Sequence, residues 1–432
     1  MKKRALSLLF ASICAAACLS GGCGGESSGS IIILDGKTDK PKSATLKVYG
    51  HRNDRYSLSV IEDALQRFMS ENPLGATYES AAEINYWQAL DRRYETDNLD
   101  DIFMVERDRL LSMTKDGVLA DLADTVNINI FNDLARSQIF GVDGAIYSVP
   151  TAISTYGLYI NYDLLEEHAQ SVPTNLSSFT AVCDYFVSKG ITPVVCNNYS
   201  SLRSLILAKG MYETYRSDDT EAELAKFNSD PTLLSESLNG GIDFIYEMIA
   251  NGWIDLDEAA LTGQGTKDLE LFASNERPFM ITGGWASDTL KELIDLNGFS
   301  YGVHAYPILE STSVLVATVD SLSVKKGENE KEAKKLLSSL TDAATIITLN
   351  ENQSRFSPLN VTLIDADPAI IPSANFLFTK GKYVIGADNN LKVPLDGFLN
   401  ECTDLMLYKN ADAATVKAHL YDLLSEFKGV GK

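Results

Sequence analysis

Positive charge is scarce in this 432-residue chain: 37 lysines and arginines stand against 59 aspartates and glutamates, a net charge of −22. A chain this acidic repels phosphate backbones and anionic headgroups, which excludes nucleic acid and an electrostatic grip on a membrane. Histidine is rare, and His51, His168, His304 and His419 stand far apart, none in a short motif with a cysteine. No spacing suits a metal centre, so neither a metal nor a cofactor is expected. HExxH and the phosphate-binding glycine loop are both missing, which removes common signatures of metallohydrolases and nucleotide enzymes. Only three tryptophans occur, few for a long groove lined with stacking rings. Cysteine is sparse as well: beyond the first 23 residues only Cys183, Cys196 and Cys402 remain. Three cannot all pair, and their helix-like and strand-end settings read as buried free thiols.

Long apolar runs are absent after residue 22, and the one before it, Ala5–Leu19, holds 15 residues. About 20 are needed to span a bilayer as a helix. Lys2-Lys3-Arg4 precedes this run and Ser20-Gly21-Gly22-Cys23 follows it, the layout of a secretory signal over 1–22. A cysteine directly after small residues resembles the bacterial lipobox, in which cleavage before the cysteine is accompanied by attachment of a diacylglycerol to its thiol. The resemblance implies lipidation at Cys23 and a cell-membrane location with the protein facing outward. Cys18, behind Ala15-Ala16-Ala17, is the alternative lipid site, and plain secretion is a third reading. The segment 23–43 begins with glycines and serines and reads as a flexible tether. Because Met1–Gly22 carries three positive charges and no acid, the remainder stands at about −25.

From Thr45 the pattern alternates between short apolar strands and amphipathic helices. Thr45–Tyr49 and Asp101–Val105 read as strands, with Leu58–Glu71, Trp87–Glu95 and Asp108–Lys115 as helices. Strands are next expected at Ala145–Val149, Thr155–Ile160, Ile191–Cys196, Tyr301–Tyr306 and Ser321–Val324, and a helical region from Pro368 onward. Alternation at these spacings predicts an α/β protein with mostly parallel sheet.

Several signatures occur in an order that is similar to the extracellular solute-binding proteins of carbohydrate ABC importers, the maltose-binding-protein-like family. They are Asp101–Val105 followed by Gly117-Val118-Leu119-Ala120-Asp121-Leu122, then Gly144–Pro150 followed by Leu158–Leu165. Phe279-Met280-Ile281-Thr282-Gly283-Gly284-Trp285-Ala286 and Tyr301-Gly302-Val303 with Tyr306-Pro307 complete the order. The helix start at Pro173-Thr174 departs from the pattern by lacking a tryptophan. The resemblance implies a two-lobed, periplasmic-binding-protein-like α/β fold (class II) with the ligand in a cleft between lobes joined by crossing strands. Lobe 1 is expected over 44–152 plus 301–350 and lobe 2 over 157–300 plus 355–432. The implied protein is a monomer that captures a mono- or oligosaccharide and delivers it to ABC permease subunits. A binder of another small solute, a sensory receptor subunit and, less favoured, a secreted glycan-active enzyme are the competing readings.

A sugar presents hydroxyls in fixed directions and an apolar face, so its site needs amide or charged side chains beside an aromatic ring. Trp285, just past Gly283-Gly284, is the leading candidate, and the resemblance gives it a stacking role. Glu106, Asp108 and Arg109 follow a buried strand, where ligands bind in open α/β sheets; Arg52 and Asn53 follow the first strand in the same way. Ser154 and Tyr156 lie on the first crossing segment. Asn197, Asn198 and Tyr199 end a strand of the second lobe, and Asp320 and Arg355 lie near later crossings. Trp87 and Trp253 read as packing residues.

Overall fold

Two sheets organise the chain. The computed structural model describes residues 31–32 and 44–427, apart from 142, 198–199, 263–265, 295–297, 309–310, 352, 362–366, 378 and 380–382; the side chains of 31, 32, 83 and 84 are also left out. The segment 1–22 and Cys23 lie outside the described residues. In chain order the strands are β1 (Ile31–Ile32), β2 (Thr45–Gly50), β3 (Gly75–Ser80), β4 (Ile102–Val105), β5 (Ala152–Asn161), β6 (Val194–Cys196), β7 (Phe279–Gly283), β8 (Tyr301–His304), β9 (Val314–Val319), β10 (Ser321–Val324) and β11 (Tyr383–Ile385). The first sheet runs β1-β3-β2-β4-β10, and the second β11-β9-β5-β7-β6 with β8 also on β5.

In the first sheet β2 lies parallel to both β3 and β4, and β10 closes the edge antiparallel to β4. Strand β4 is buried along its whole length, as a parallel strand covered on both faces must be. The helix Arg55–Glu71 covers this sheet. Asp54 caps it by accepting the Ser57 N–H at 2.8 Å, and Ile61, Ala64, Leu65 and Phe68 form its buried stripe. Burying a side chain the size of Leu65 or Phe68 stabilises by about 1.5–3 kcal/mol. Asn72-Pro73 ends the helix, since proline disfavours helical backbone in the residue before it.

Strand β5 is the long axis of the second sheet. One edge pairs antiparallel with β7, and the other takes β9 along its first half and β8 along its second. Gly157 makes room for β8, because a Cβ there would collide with the His304 carbonyl. Two helices behind this sheet, Ser200–Gly210 and Leu233–Ala250, touch through their backbones: a Cβ on Gly241 would stand 2.6 Å from the Ile206 Cα. The three thiols Cys183, Cys196 and Cys402 are free and buried.

Three connections join the sheets, at 149–152, at Asp320 and at 350–356. Thr151 donates to the Asp320 carbonyl at 3.0 Å, and Asn350 donates to the Thr151 carbonyl at 2.8 Å. Ile153 and Phe356 exchange backbone hydrogen bonds. Asp320 carries a φ of 53°, an uncommon conformation outside glycine, and it turns the chain from β9 directly into β10.

The structure differs from the sequence reading in several elements. Past residue 301, where a return to lobe 1 was expected, β8 and β9 both pair with β5, and the chain enters the first sheet at β10, after Asp320. Strand β9 is an apolar, half-sheet strand with no alternation to announce it. Ala145–Val149 forms only isolated bridges at Ile146 and Val149 rather than a strand, and the strand expected from Thr155 starts at Ala152. The helix Leu176–Ser188 is capped by Asn175, with Ser178 completing a capping box. Strand β11 interrupts the C-terminal helical region. Within the expected tether, 31–32 pairs with β3.

Candidate functional site: a cleft between the sheets

The carboxyl ends of β4, β6 and β7 converge with β5 on a cleft of about 1030 Å³ that takes side chains from both sheets. Tyr156 and Trp285 form the floor. The turn that carries Trp285 is fixed from below: the Gly284 N–H donates to the Thr155 carbonyl at 2.6 Å, and the Tyr159 hydroxyl donates to the Gly283 carbonyl at 2.8 Å. Gly283 is required here, since a Cβ would collide with the Trp285 indole nitrogen and stand 3.3 Å from the Tyr156 ring. The indole is thus folded over the strand end yet remains 39% exposed. An aromatic face presented to solvent in a concave site is a ready platform for an apolar ligand face.

The wall from the first sheet starts at the end of β4. The helix Arg107–Lys115 presents Glu106, Asp108 and Arg109. Arg109 makes a two-pronged pair with Asp91, at 2.6 and 2.7 Å, pairs with Glu106, and lies 5.0 Å from the Trp87 ring. Trp87 therefore lines the cleft rather than merely packing its helix. Trp253 is buried, with its indole N–H on Asp184 at 2.8 Å.

The opposite wall was largely illegible in the sequence. Arg203, Asp268, Asp396 and Asn400 line it, and no motif or spacing marked them. Arg203 and Asn400 are joined at 3.3 Å across two helices. Asn197 borders the cleft but its amide is engaged. Its oxygen accepts the Ser200 N–H at 2.9 Å, capping the helix Ser200–Gly210, while its nitrogen donates to Asp268 at 3.0 Å.

Of the expected site residues, Trp285, Tyr156, Glu106, Asp108, Arg109 and Asn197 line this cleft. Asn198 and Tyr199 lie outside the described residues. Ser154 is buried within β5, 3% exposed, its hydroxyl without a hydrogen-bond partner, so it lies beneath the floor. Arg52, Asp320 and Arg355 form a cluster at the connections instead. The buried Asp320 carboxylate meets Arg52 at 2.6 Å, His51 at 3.2 Å and also Arg355. Asn53 is exposed and borders a side depression of about 560 Å³ with Arg52 and Arg355.

The electrostatics of the two regions differ. Burial alone would raise the Asp320 carboxyl, but Arg355, Arg52 and His51 together hold it far below the usual carboxylate range. In the cleft the balance reverses. Crowding by the walls pushes Glu106 up to about 7, opposed by Arg109; its side chain is 43% exposed to the open cleft, and solvent there moderates this upward shift. Burial, reinforced by Asp396, pushes Asp108 up to about 7 as well. Six carboxylates line the cleft against Arg109 and Arg203. Among the described residues no group of three His, Cys, Asp or Glu side chains is placed to hold a metal, and no helix is long and apolar enough to cross a membrane. The cleft offers aromatic faces, fixed hydrogen-bond acceptors and a guanidinium from each side, the parts of a binding site for a polar, uncharged or cationic solute.

Comparison with known proteins agrees with this geometry. No curated protein sequence matches the chain. Among solved structures, a chitin oligosaccharide binding protein superposes with a TM-score of 0.71 at 16% identity, covering 89% of this chain and 99% of that one. RafE in complex with raffinose gives 0.64 at 18%, covering 88% and 98%. A sugar transporter from Bacillus licheniformis in complex with stachyose gives 0.64 at 14%, covering 88% and 98%. Likenesses at these identities establish the two-lobed, periplasmic-binding-protein-like fold. The profile of the bacterial extracellular solute-binding proteins matches residues 63–370, spanning both sheets and most of the cleft, and the chain belongs to that family.

Proposed function

We propose that this protein captures a carbohydrate between its two lobes and delivers it to the permease subunits of an ABC importer. The observation that carries the sugar reading is the pairing of Trp285 and Tyr156 on the cleft floor with charged and amide groups on both walls. That combination suits a ring with one apolar face and hydroxyls around its rim. The structural neighbours in complex with raffinose and stachyose support it. The lobes are read as 44–151 with 320–350 and 152–319 with 355–427, divided at the three connections. Ligand contact with both walls favours the closed arrangement by differential affinity. The family and the structural neighbours are binding proteins, which supports a binding rather than a catalytic role.

Calorimetric titration of the mature protein against mono- and oligosaccharides, with amino acids and short peptides as controls, tests the carbohydrate assignment. Saturable one-to-one binding of a sugar is expected; binding of amino acids or peptides with no sugar bound would overturn it.

The anchoring at Cys23 completes the proposal. A lipid on that thiol and a short tether would hold the cleft near a permease and raise its effective concentration there. Fractionation of cells carrying Cys23→Ala is expected to move the protein from membrane to medium or periplasm. Retention at the membrane would transfer the anchor to Cys18 or to an uncleaved signal.

A further inference from the structure

The first sheet ends on a strand that belongs to the N-terminal segment. In the order β1-β3-β2-β4-β10, Ile31–Ile32 occupies the edge next to β3. It runs antiparallel to that strand, with Ile31 opposite Glu79 and Ile32 opposite Tyr78. The sequence accounts for the attachment. Gly24–Ser30 is mostly glycine and serine and Asp35–Ser43 is again polar, but Ile31-Ile32-Ile33-Leu34 between them is wholly apolar. Branched residues of this kind favour a pleated, half-buried surface. A sheet edge with unpaired N–H and C=O groups offers one, and covering it removes a site for edge-to-edge association.

The direction of β1 decides where this segment meets the domain. Strands β3 and β4 both lie parallel to β2, so the carboxyl end of β3 points toward the cleft as that of β4 does. Glu79 is next to last in β3, and Ala82, just beyond it, lines both the cleft and the side depression. A paired residue stands about 5 Å across and three residues reach at most about 11 Å, which puts Ile31 within about 16 Å of Ala82. From there β1 leads away from the cleft, toward the end of the sheet where β2 begins at Thr45. Chain length sets the reach. Seven residues separate Cys23 from Ile31, and that stretch spans at most about 28 Å. Counted to Thr45 instead, the reach would be about 75 Å, and it would start from the end of the sheet away from the cleft.

We propose that Ile31–Ile32 is a docking strand that fixes the lipid anchor beside the cleft, so that the Ala82 margin of the first lobe is held toward the bilayer. The inference rests on the lipid at Cys23 proposed above and names the surface which that lipid presents to the membrane. With the leash limited to residues 23–31, this margin stays within about 45 Å of the lipid. A solute leaving the cleft there emerges on the membrane side.

The test uses the full precursor expressed in bacterial cells, purified with its lipid and reconstituted in phosphatidylcholine vesicles that carry a fluorescent acceptor lipid. A donor dye is placed on Asn53→Cys, exposed at the same margin; Cys183, Cys196 and Cys402 are buried and stay unlabelled. A ten-residue Gly-Ser insertion between Ser30 and Ile31 lengthens the leash by up to about 35 Å and is expected to lower energy transfer. The same insertion between Gly36 and Lys37 lies beyond the docking strand and is expected to leave transfer unchanged. Ile31→Pro combined with Ile32→Pro removes both N–H donors from the ladder. In that background the second insertion is expected to lower transfer as the first does. Equal effects of the two insertions in the parent chain, whether loss or no change, would overturn the docking strand and leave the lipid reading standing. Parent protein that does not stay with the vesicles would remove the lipid at Cys23, and this inference with it.

Discussion

Among single residues, Trp285 and Asp320 carry the two halves of the design. Trp285 presents its ring because Gly283 lacks a side chain and because Thr155 and Tyr159 hold the turn. Trp285→Ala is expected to weaken sugar binding about tenfold, the loss of roughly 1.4 kcal/mol. Trp87 and Trp285 face the cleft while Trp253 is buried, so a ligand-induced change in tryptophan fluorescence should shrink in the same variant and vanish when Trp87 is replaced as well. Asp320 instead neutralises the buried Arg52 and the partly buried Arg355. Asp320→Asn leaves Arg52 and Arg355 without their shared anion and is expected to cost about 3–5 kcal/mol in urea unfolding. Its depressed pKa means that the native state holds fewer protons than the unfolded chain on acidification. The stabilisation is therefore present above the ordinary carboxylate range, about 4, and is lost as pH falls below it. Acid titration of stability should be flatter below about pH 4 in Asp320→Asn than in the parent. These roles were unequally legible. Trp285 was marked by its glycines and Asp108 by the end of a buried strand. The chemistry of Arg203, Asp268 and Asp396 depends on segments far apart in sequence meeting at one wall, which no local pattern records.

For helices and strands, the signals that succeeded were local ones. Asn72-Pro73 stops a helix whose apolar stripe repeats at helical spacing, and the four apolar residues of β4 read as a buried strand. Strand β9 escaped because both of its faces are covered over most of its length, leaving no alternation to read. Strand β3 follows a proline turn and has few residues of strong strand preference. Contact between helices is equally invisible to local pattern. Gly241 sits mid-helix, where alanine would ordinarily stabilise by about 1 kcal/mol. Here the added methyl would press on the Ile206 backbone, and overpacking of this kind costs about 1–3 kcal/mol. The clash with backbone wins. Gly241→Ala is expected to lower stability by about 1–2 kcal/mol by denaturant unfolding, whereas the same change at Gly240, which has open space, should be neutral or stabilising.

Across the whole molecule, order along the chain was more informative than any single motif. The two-lobed architecture could be read from several weak signatures arriving in sequence over most of its length. The place where the chain returns from the second sheet to the first could not, because that step depends on which strands β5 recruits along its length. The three connections meet at Thr151, Asp320 and Asn350, a compact pivot about which two otherwise separate sheets can approach. Away from those connections, Asp108 meets Gly397 and Arg107 meets Asp388, polar contacts between the segment after β4 and the C-terminal region. The central claim is that a sugar bridges the walls and draws the lobes together. Small-angle X-ray scattering of the mature protein, with and without a saturating sugar that binds by calorimetry, tests this most directly. The account predicts a smaller radius of gyration on binding, reduced or absent in Trp285→Ala at the same sugar concentration. A bound sugar with scattering unchanged throughout would contradict it, since the ligand would then sit outside the cleft or leave the lobes where they were.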